Sequence, residues 1–514
     1  MKKQILPLIL FFLVSTCFSQ EVIENKTSSS NKVIIKVMLL NGSIADPVGK
    51  EGLTSLTASL LVSGSTKQYT YAEIQKLLYP MSASYYANVD KEVTILTFQV
   101  PSDFLEEFYP IMRSILFEPA FDKNDFERLK SEQENYVSQI IRASSDEEYS
   151  KKALEDLLFR GTRYQHLAEG TLSSLKNITL DNVKDHYYKT FFLKDRTLIG
   201  ISGNYNDKFL SILKNDALLN LKDLKLELPI IKPTMPDGIR VEIISKKGAF
   251  GSAIFMGFPI DVTRRKDDFI ALMVANSYLG EHRKSYGVLY NKIRETRSMN
   301  YGDYSYIEWY DNGGANMLLP SGTPRNSNYF SIWIRPVQIA AQLKKQYPEL
   351  ENIKLGHAHF AIRLAIRELE NLVKNGLTEE QFEETRQFLQ SYIKLYIQRQ
   401  SERLGYLLDS KFYSRKDFIA EAIDILSKLT LEDVNNTIRK YLQTENMYIV
   451  IVTDQSEAEA LAQSLLNNSY SPMSYSNIVL QSLPKVVLEE DEIIANYKLN
   501  VKSVKIVDNY EFFK

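Results

Sequence analysis

Cysteine is nearly absent from this sequence: Cys17 is the only one in 514 residues. That excludes a disulfide framework and a cysteine-rich metal site. Histidine is almost as scarce, with five in all, and none falls in His-x-x-Glu-His or His-Glu-x-x-His, the helical patterns that put two imidazoles and a carboxylate on one face. No Gly-x-Ser-x-Gly elbow and no glycine-rich phosphate loop occurs, so neither serine hydrolase nor nucleotide chemistry has a local signature. An excess of one charge is missing too. Sixty-two Lys and Arg face 64 Asp and Glu, a net charge of −2, which argues against a nucleic-acid partner. No run in the body of the chain reaches the ~18 to 20 apolar residues that cross a membrane as a helix.

What is present begins with an export signal. Lys2 and Lys3, an apolar run from Ile5 to Val14 and a small-residue site at Cys17-Phe18-Ser19 form the three parts of a secretory signal peptide, residues 1–19. Cleavage there would remove Cys17 and give an exported chain, periplasmic or extracellular. Acylation of Cys17 is the alternative, with Thr16 a poor residue to precede it. The remainder, 44% hydrophobic and 25% charged over the whole sequence, has ordinary globular usage.

The body repeats. Thr179-Leu180-Asp181-Asn182-Val183 returns as Thr430-Leu431-Glu432-Asp433-Val434, an offset of 251, each with Thr at a helix N-cap and an acid in the first turn. After each short helix comes an alternating strand, Thr197 to Gly203 and Met447 to Val452. Extended segments at Val33–Leu40 and Ser252–Phe258, each followed by a helix (Leu53–Leu61, Asp268–Leu279), keep the same order. Thr378-Glu379-Glu380-Gln381 is a capping box that opens a helix through about Gln398. Hairpin-linked strands with grouped helices predict an α+β fold of two homologous sandwich domains, each an antiparallel-rich sheet with helices packed on it. The expected division is 20–218, a linker at 219–239 punctuated by Pro229, Pro233, Pro236 and Gly238, a second domain at 240–466 and a C-terminal extension at 467–514.

Candidate chemistry is sparse. His357-Ala358-His359 is the one close histidine pair, but i and i+2 point to different helix faces, so the pair reads as a surface or N-terminal helix feature. Asn312-Gly313-Gly314-Ala315 reads as a turn. From Gly280 to Tyr306, Ser285 is expected to cap a helix whose Tyr286, Leu289, Tyr290 and Ile293 share a face, with Tyr301, Tyr304 and Tyr306 beginning a strand beyond it. Arg294 and Tyr301 straddle that helix end, as a pair facing one cleft or as a salt-bridged terminus with the ring packed beneath.

Over about residues 33 to 465 the sequence resembles the insulinase (pitrilysin) family of zinc metallopeptidases, especially the two-domain subunits typified by mitochondrial processing peptidase. The likeness rests on Asn41-Gly42-Ser43, Asp46-Pro47, Gly49, the stretch Gly52 to Ser59 and Gly64-Ser65-Thr66 in the first half. In the second it rests on Leu279-Gly280, Leu289, Ile293-Arg294-Glu295, Tyr301 and Gly376-Leu377-Thr378-Glu379-Glu380. The resemblance places the family's zinc motif on Ser55, Ala58 and Ser59, none of which binds zinc or takes a proton, and the third ligand near Glu134 to Gln139, with Ser138 and Gln139 in the likeliest slots. It keeps Arg294 and Tyr301 at the positions where the second domain of a paired subunit reaches the scissile peptide. What it implies is a chain without its own cofactor, the non-zinc subunit of a heterodimer, acting on peptides beside a zinc-bearing homologous subunit. A non-catalytic peptide-binding or scaffold protein of the same fold is the alternative, and an enzyme working alone through an unrecognised site is a third.

Overall fold

The computed structural model describes residues 22–282, 284–310 and 320–514. The signal-peptide segment with Cys17 and the Asn312–Ala315 turn lie outside the described residues.

Eleven strands make two sheets among the described residues. They are β1 (Val22–Lys26), β2 (Lys32–Leu39), β3 (Ser84–Val89), β4 (Thr94–Pro101), β5 (Thr197–Gly203), β6 (Ile239–Lys246), β7 (Ser252–Ile260), β8 (Asp303–Tyr306), β9 (Asn328–Val337), β10 (Met447–Asp454) and β11 (Val501–Asp508). The first sheet runs β1-β5-β2-β4-β3 and the second β11-β6-β10-β7-β9-β8. In the first sheet the parallel pair β1–β5, and in the second the parallel pairs β11–β6 and β6–β10, are followed by antiparallel neighbours. Removing β11 therefore leaves two sheets of identical order, and the α+β expectation of two homologous halves holds. The edge strand β11, parallel to β6, comes from the C-terminal segment.

The helices that position the site are α1 (Leu53–Ser63), α2 (Lys123–Asn135), α3 (Asp146–Leu158), α4 (Leu180–Thr190), α5 (Asp268–Gly280), α6 (Ala358–Asn375), α7 (Glu379–Tyr392), α8 (Gln400–Phe412), α9 (Leu431–Tyr441) and α10 (Lys485–Ala495). The repeated Thr residues work as read. Thr179 and Thr430 close capping boxes with Asn182 and Asp433, and Thr378 does so with Gln381. Behind the caps, Val183 and Tyr187, or Val434 and Ile438, bury one face, so α4 packs on α1 and α9 packs on α5.

The two halves exchange helices. From the first half, α3 lies across β7 and β10 of the second sheet, while α8 of the second half lies across β5, β2 and β1. Close approach requires Gly200 on β5, where an added Cβ would stand 2.9 Å from Leu404 of α8. Charges are buried with this exchange. Arg325 holds Asp90 at 2.5 Å and also pairs with Glu155 of α3, all three being nine-tenths buried or more.

Three local readings need correction. No cap forms at Ser285: residues 285–287 are turn and bend, Gly287 interrupts, and the helix starts at Val288 before widening into a π-helix over Tyr290–Glu295, consistent with the weak helical preference of glycine. Tyr301 also stands outside the strand, because β8 begins only at Asp303. The helix opened by Thr378 ends at Tyr392 and continues as a 3-10 turn over Ile393–Ile397.

Candidate functional site

Helix α1 starts from Gly52, whose φ of +95° is open to glycine but strained for other residues. Its first amides are capped from a distance. Asp46 accepts from Gly52 N and Thr54 N, each at 2.7 Å, and from Thr54 Oγ1 at 2.6 Å. Thr54 Oγ1 also lies 2.8 Å from His186 Nε2 on α4. Burial pushes the Asp46 carboxyl up to about 7 and the His186 imidazole down to about 4. From the other side, Gln133 of α2 donates through Nε2 to Gly52 O at 3.0 Å and Glu169 O at 2.8 Å. Neither His186 nor Gln133 was marked by the sequence as a partner of this helix, because their bonds cross 132 and 81 residues.

On this framework Ser55, Ala58 and Ser59 share a face of α1 by their i, i+3, i+4 spacing. Ser55 and Ser59 are half-buried and Ala58 is buried. Two hydroxyls and a methyl do not fit zinc, which takes imidazole, thiolate or carboxylate. The expected third position gives no help: Ser138 and the exposed Gln139 sit on a π-helical turn, Tyr136–Ile140, that follows α2 and Glu134. Among the described residues, no three His, Cys, Asp or Glu stand together in a way that could hold a metal.

The histidine pair is not a surface feature. His357 stands at the N-cap position of α6, without a capping hydrogen bond from its side chain, and His359 sits in the first turn, as the N-terminal reading has it, but they are 2% and 0% exposed. His359 Nδ1 is 2.8 Å from Ser464 Oγ, and His357 Nε2 is 3.2 Å from Ser474 O. Burial lowers them to about 3 and about 4 respectively.

Arg294 and Tyr301 are brought together. The guanidinium lies 5.3 Å from the ring centroid of Tyr290 and 5.9 Å from that of Tyr301, and it pairs with Glu295. Tyr301 is 78% exposed. Between them the chain turns sharply. Ser298 adopts a φ of +54° and donates its amide to Arg294 O at 2.7 Å, while Asn300 Oδ1 accepts from Gly302 N at 3.1 Å. Tyr304 and Tyr306, by contrast, are buried, the Tyr306 ring centroid lying 4.1 Å from that of Trp333 with the planes tilted. No hydrogen bond or ion pair among the described residues joins Arg294 or Tyr301 to the α1 face, so the molecule holds two separate groups: a helix face without ligands and an outward Arg–Tyr pair.

The comparisons agree with this architecture. The sequence profile of the insulinase family (peptidase family M16) matches residues 21–173, and that of the peptidase M16 inactive domain matches residues 177–389. The chain is 20% identical over 419 residues to a Helicobacter pylori protein named non-peptidase homolog YmxG, covering 81% of this chain and 87% of that one. It is also 20% identical over 438 residues to the uncharacterized zinc protease YmxG of Bacillus subtilis, covering 84% and 95%. Among solved structures, the peptidase M16 inactive domain from Pseudomonas fluorescens superimposes with a TM-score of 0.69 at 16% identity, covering 84% of this chain and 94% of that one. A protease from Helicobacter pylori gives 0.66 at 15%, covering 84% and 96%. On the two profile matches and the paired sheets, the chain belongs to the insulinase family of peptidases, M16, and carries that family's inactive domain.

Proposed function

We propose that this protein is the non-zinc subunit of an exported insulinase-family peptidase, a pseudoenzyme that presents Arg294 and Tyr301 to peptide held by a zinc-bearing homologous subunit. One observation carries the reading: the face of α1 has lost imidazole and carboxylate together, whereas Arg294 and Tyr301 keep their contact and their exposure. In this reading the metal chemistry belongs to the partner. This chain would supply a phenolic O–H aimed at the oxygen on which charge develops during peptide hydrolysis, and a planar guanidinium able to hold a substrate carbonyl. Arg294 lies in the last turn of the π-helix Tyr290–Glu295, and Tyr301 follows beyond the left-handed Ser298.

The test is reconstitution with a similar-length exported homologue carrying His-x-x-Glu-His. A stable heterodimer burying at least about 1,200 Å² should form, and peptide hydrolysis should need both chains and be lost to chelator. Failure of the two chains to associate at micromolar concentration would sink the proposal.

One observation favours a second reading, non-catalytic peptide capture. β3 is the edge of the first sheet beside α1, its residues alternate between exposed and half-buried, and Tyr86 is half-exposed. An extended peptide could add there as a further strand. Peptide binding by the isolated chain, unchanged in Tyr301→Phe and Arg294→Ala, would favour it over the heterodimer.

A further inference from the structure

Arg297 lies three residues after Arg294 and four before Tyr301, yet it faces the opposite way. Its side chain is fully buried, and all three guanidinium nitrogens are committed. Nε donates to Asp491 Oδ1 at 2.7 Å, Nη2 to Glu490 Oε2 at 2.7 Å, and Nη1 to the backbone oxygen of Lys292 at 2.8 Å. Both carboxylates belong to α10, nearly 200 residues away in sequence and past the last residue that either family profile matches, 389.

The two acids are themselves fixed. Asp491 Oδ2 accepts from Tyr475 Oη at 2.6 Å. Glu490 Oε1 accepts from Lys292 Nζ at 2.6 Å and from Arg367 Nη1 at 3.3 Å. Burial alone would raise the Glu490 carboxyl, but Lys292 and Arg297 hold it down at about 2. Lys292 continues to Glu368 of α6 at 3.0 Å, so the π-helical turn is tied to α6 and α10 on its inner side. A buried guanidinium with charge-assisted bonds to two acids has one favourable geometry, and losing either acid leaves charge uncompensated. Immediately after Arg297 the chain enters the left-handed Ser298, a conformation that persists in a non-glycine residue only where the surroundings impose it.

We infer that α10 of the C-terminal extension is a brace for the Arg294–Tyr301 turn, with Arg297 as positioning residue and Glu490 and Asp491 as its anchors. The inference rests on the role given to Arg294 and Tyr301 above. The brace is held at its far end as well, since β11 pairs with β6, and Arg142 of the first half donates to Asn509 O at 3.2 Å and to Phe512 O at 2.5 Å.

The test uses the full chain with Asp491→Asn, and with Glu490→Gln as the milder variant should the first not fold. Hydrogen exchange followed by mass spectrometry should show amides 296–301 losing about tenfold or more in protection while α1 and α4 keep theirs. Unchanged protection at 296–301, or equal loss everywhere, overturns the brace. This arm needs no partner, so it stands apart from the fate of the heterodimer. In a reconstituted heterodimer the same variants should lower kcat about tenfold, and should cost less in a chain that already carries Tyr301→Phe. Wild-type kcat in a variant whose turn has lost protection overturns the positioning role.

Discussion

The hydroxyl of Thr54 stands 2.6 Å from Oδ1 of Asp46 and 2.8 Å from Nε2 of His186. One small side chain thus joins the loop before α1 to helix α4. With a single proton, the hydroxyl donates to the carboxylate and accepts from the imidazole when Nε2 carries hydrogen. Thr54→Val keeps the shape and removes both bonds, leaving a buried ring nitrogen without its partner. The expected cost is about 1 to 3 kcal/mol, the usual penalty for an orphaned buried polar group, read as a shift in denaturant midpoint at constant slope. A loss under about 0.5 kcal/mol would show that the three groups do not bond in solution.

Metal content gives a second check. Ser55, Ala58 and Ser59 offer α1 nothing to coordinate with, and one ring nitrogen each of the buried His357 and His359 already faces Ser474 and Ser464. Elemental analysis of the purified chain after dialysis against a weak chelator should find far less than one zinc per molecule. Stoichiometric zinc that disappears in His359→Gln would mean that the site lies at the start of α6 instead.

What the sequence disclosed, it disclosed where the physics is local. Capping at Thr179, Thr378 and Thr430 needs only the residue three places on, and the alternation of Thr197–Gly203 and Met447–Val452 needs only a sheet beneath. Spacing marked Arg294 and Tyr301 as straddling a helix end, the resemblance gave them a role, and contact between the two groups is a finding of the structure. Partners beyond one helical turn were illegible: Asp46 caps a helix six to eight residues ahead, His357 and His359 bond to chain more than 100 residues away, and β11 pairs with β6, far earlier in the chain. The helix after Gly287 widens into a π-helical turn at Tyr290–Glu295, and Arg297 just beyond it bonds to Asp491 of α10.

The buried histidines of α6 set a pH dependence. Burial lowers His359 to about 3 and His357 to about 4, against about 6.5 when unfolded. A depressed imidazole takes up its proton in the unfolded chain first, so the stability it contributes is complete above pH 6.5 and is lost as pH falls from there toward 3. His359→Gln should therefore flatten the fall in unfolding free energy between about pH 6.5 and 4. NMR of histidine-labelled protein should find both rings still neutral at pH 5. A ring titrating near 6.5 in the folded state would contradict the burial seen here.

The most discriminating substitution is at Tyr301. Its ring is mostly exposed and stacks on Arg294, so removing the hydroxyl alone should leave folding untouched. If the hydroxyl donates to charge that develops only in the transition state, Tyr301→Phe should lower kcat of the reconstituted heterodimer by roughly 10²- to 10³-fold, the size of one lost oxyanion donor, with KM nearly constant. Arg294→Ala should act differently: a guanidinium that holds a ground-state carbonyl also supports binding, so KM should rise as kcat falls. The melting temperature separates this from packing, because neither variant buries or exposes a core group. Full activity in Tyr301→Phe, or a variant whose chief effect is a lower melting temperature, would leave the exposed phenol as a structural residue and remove the basis for catalysis in trans.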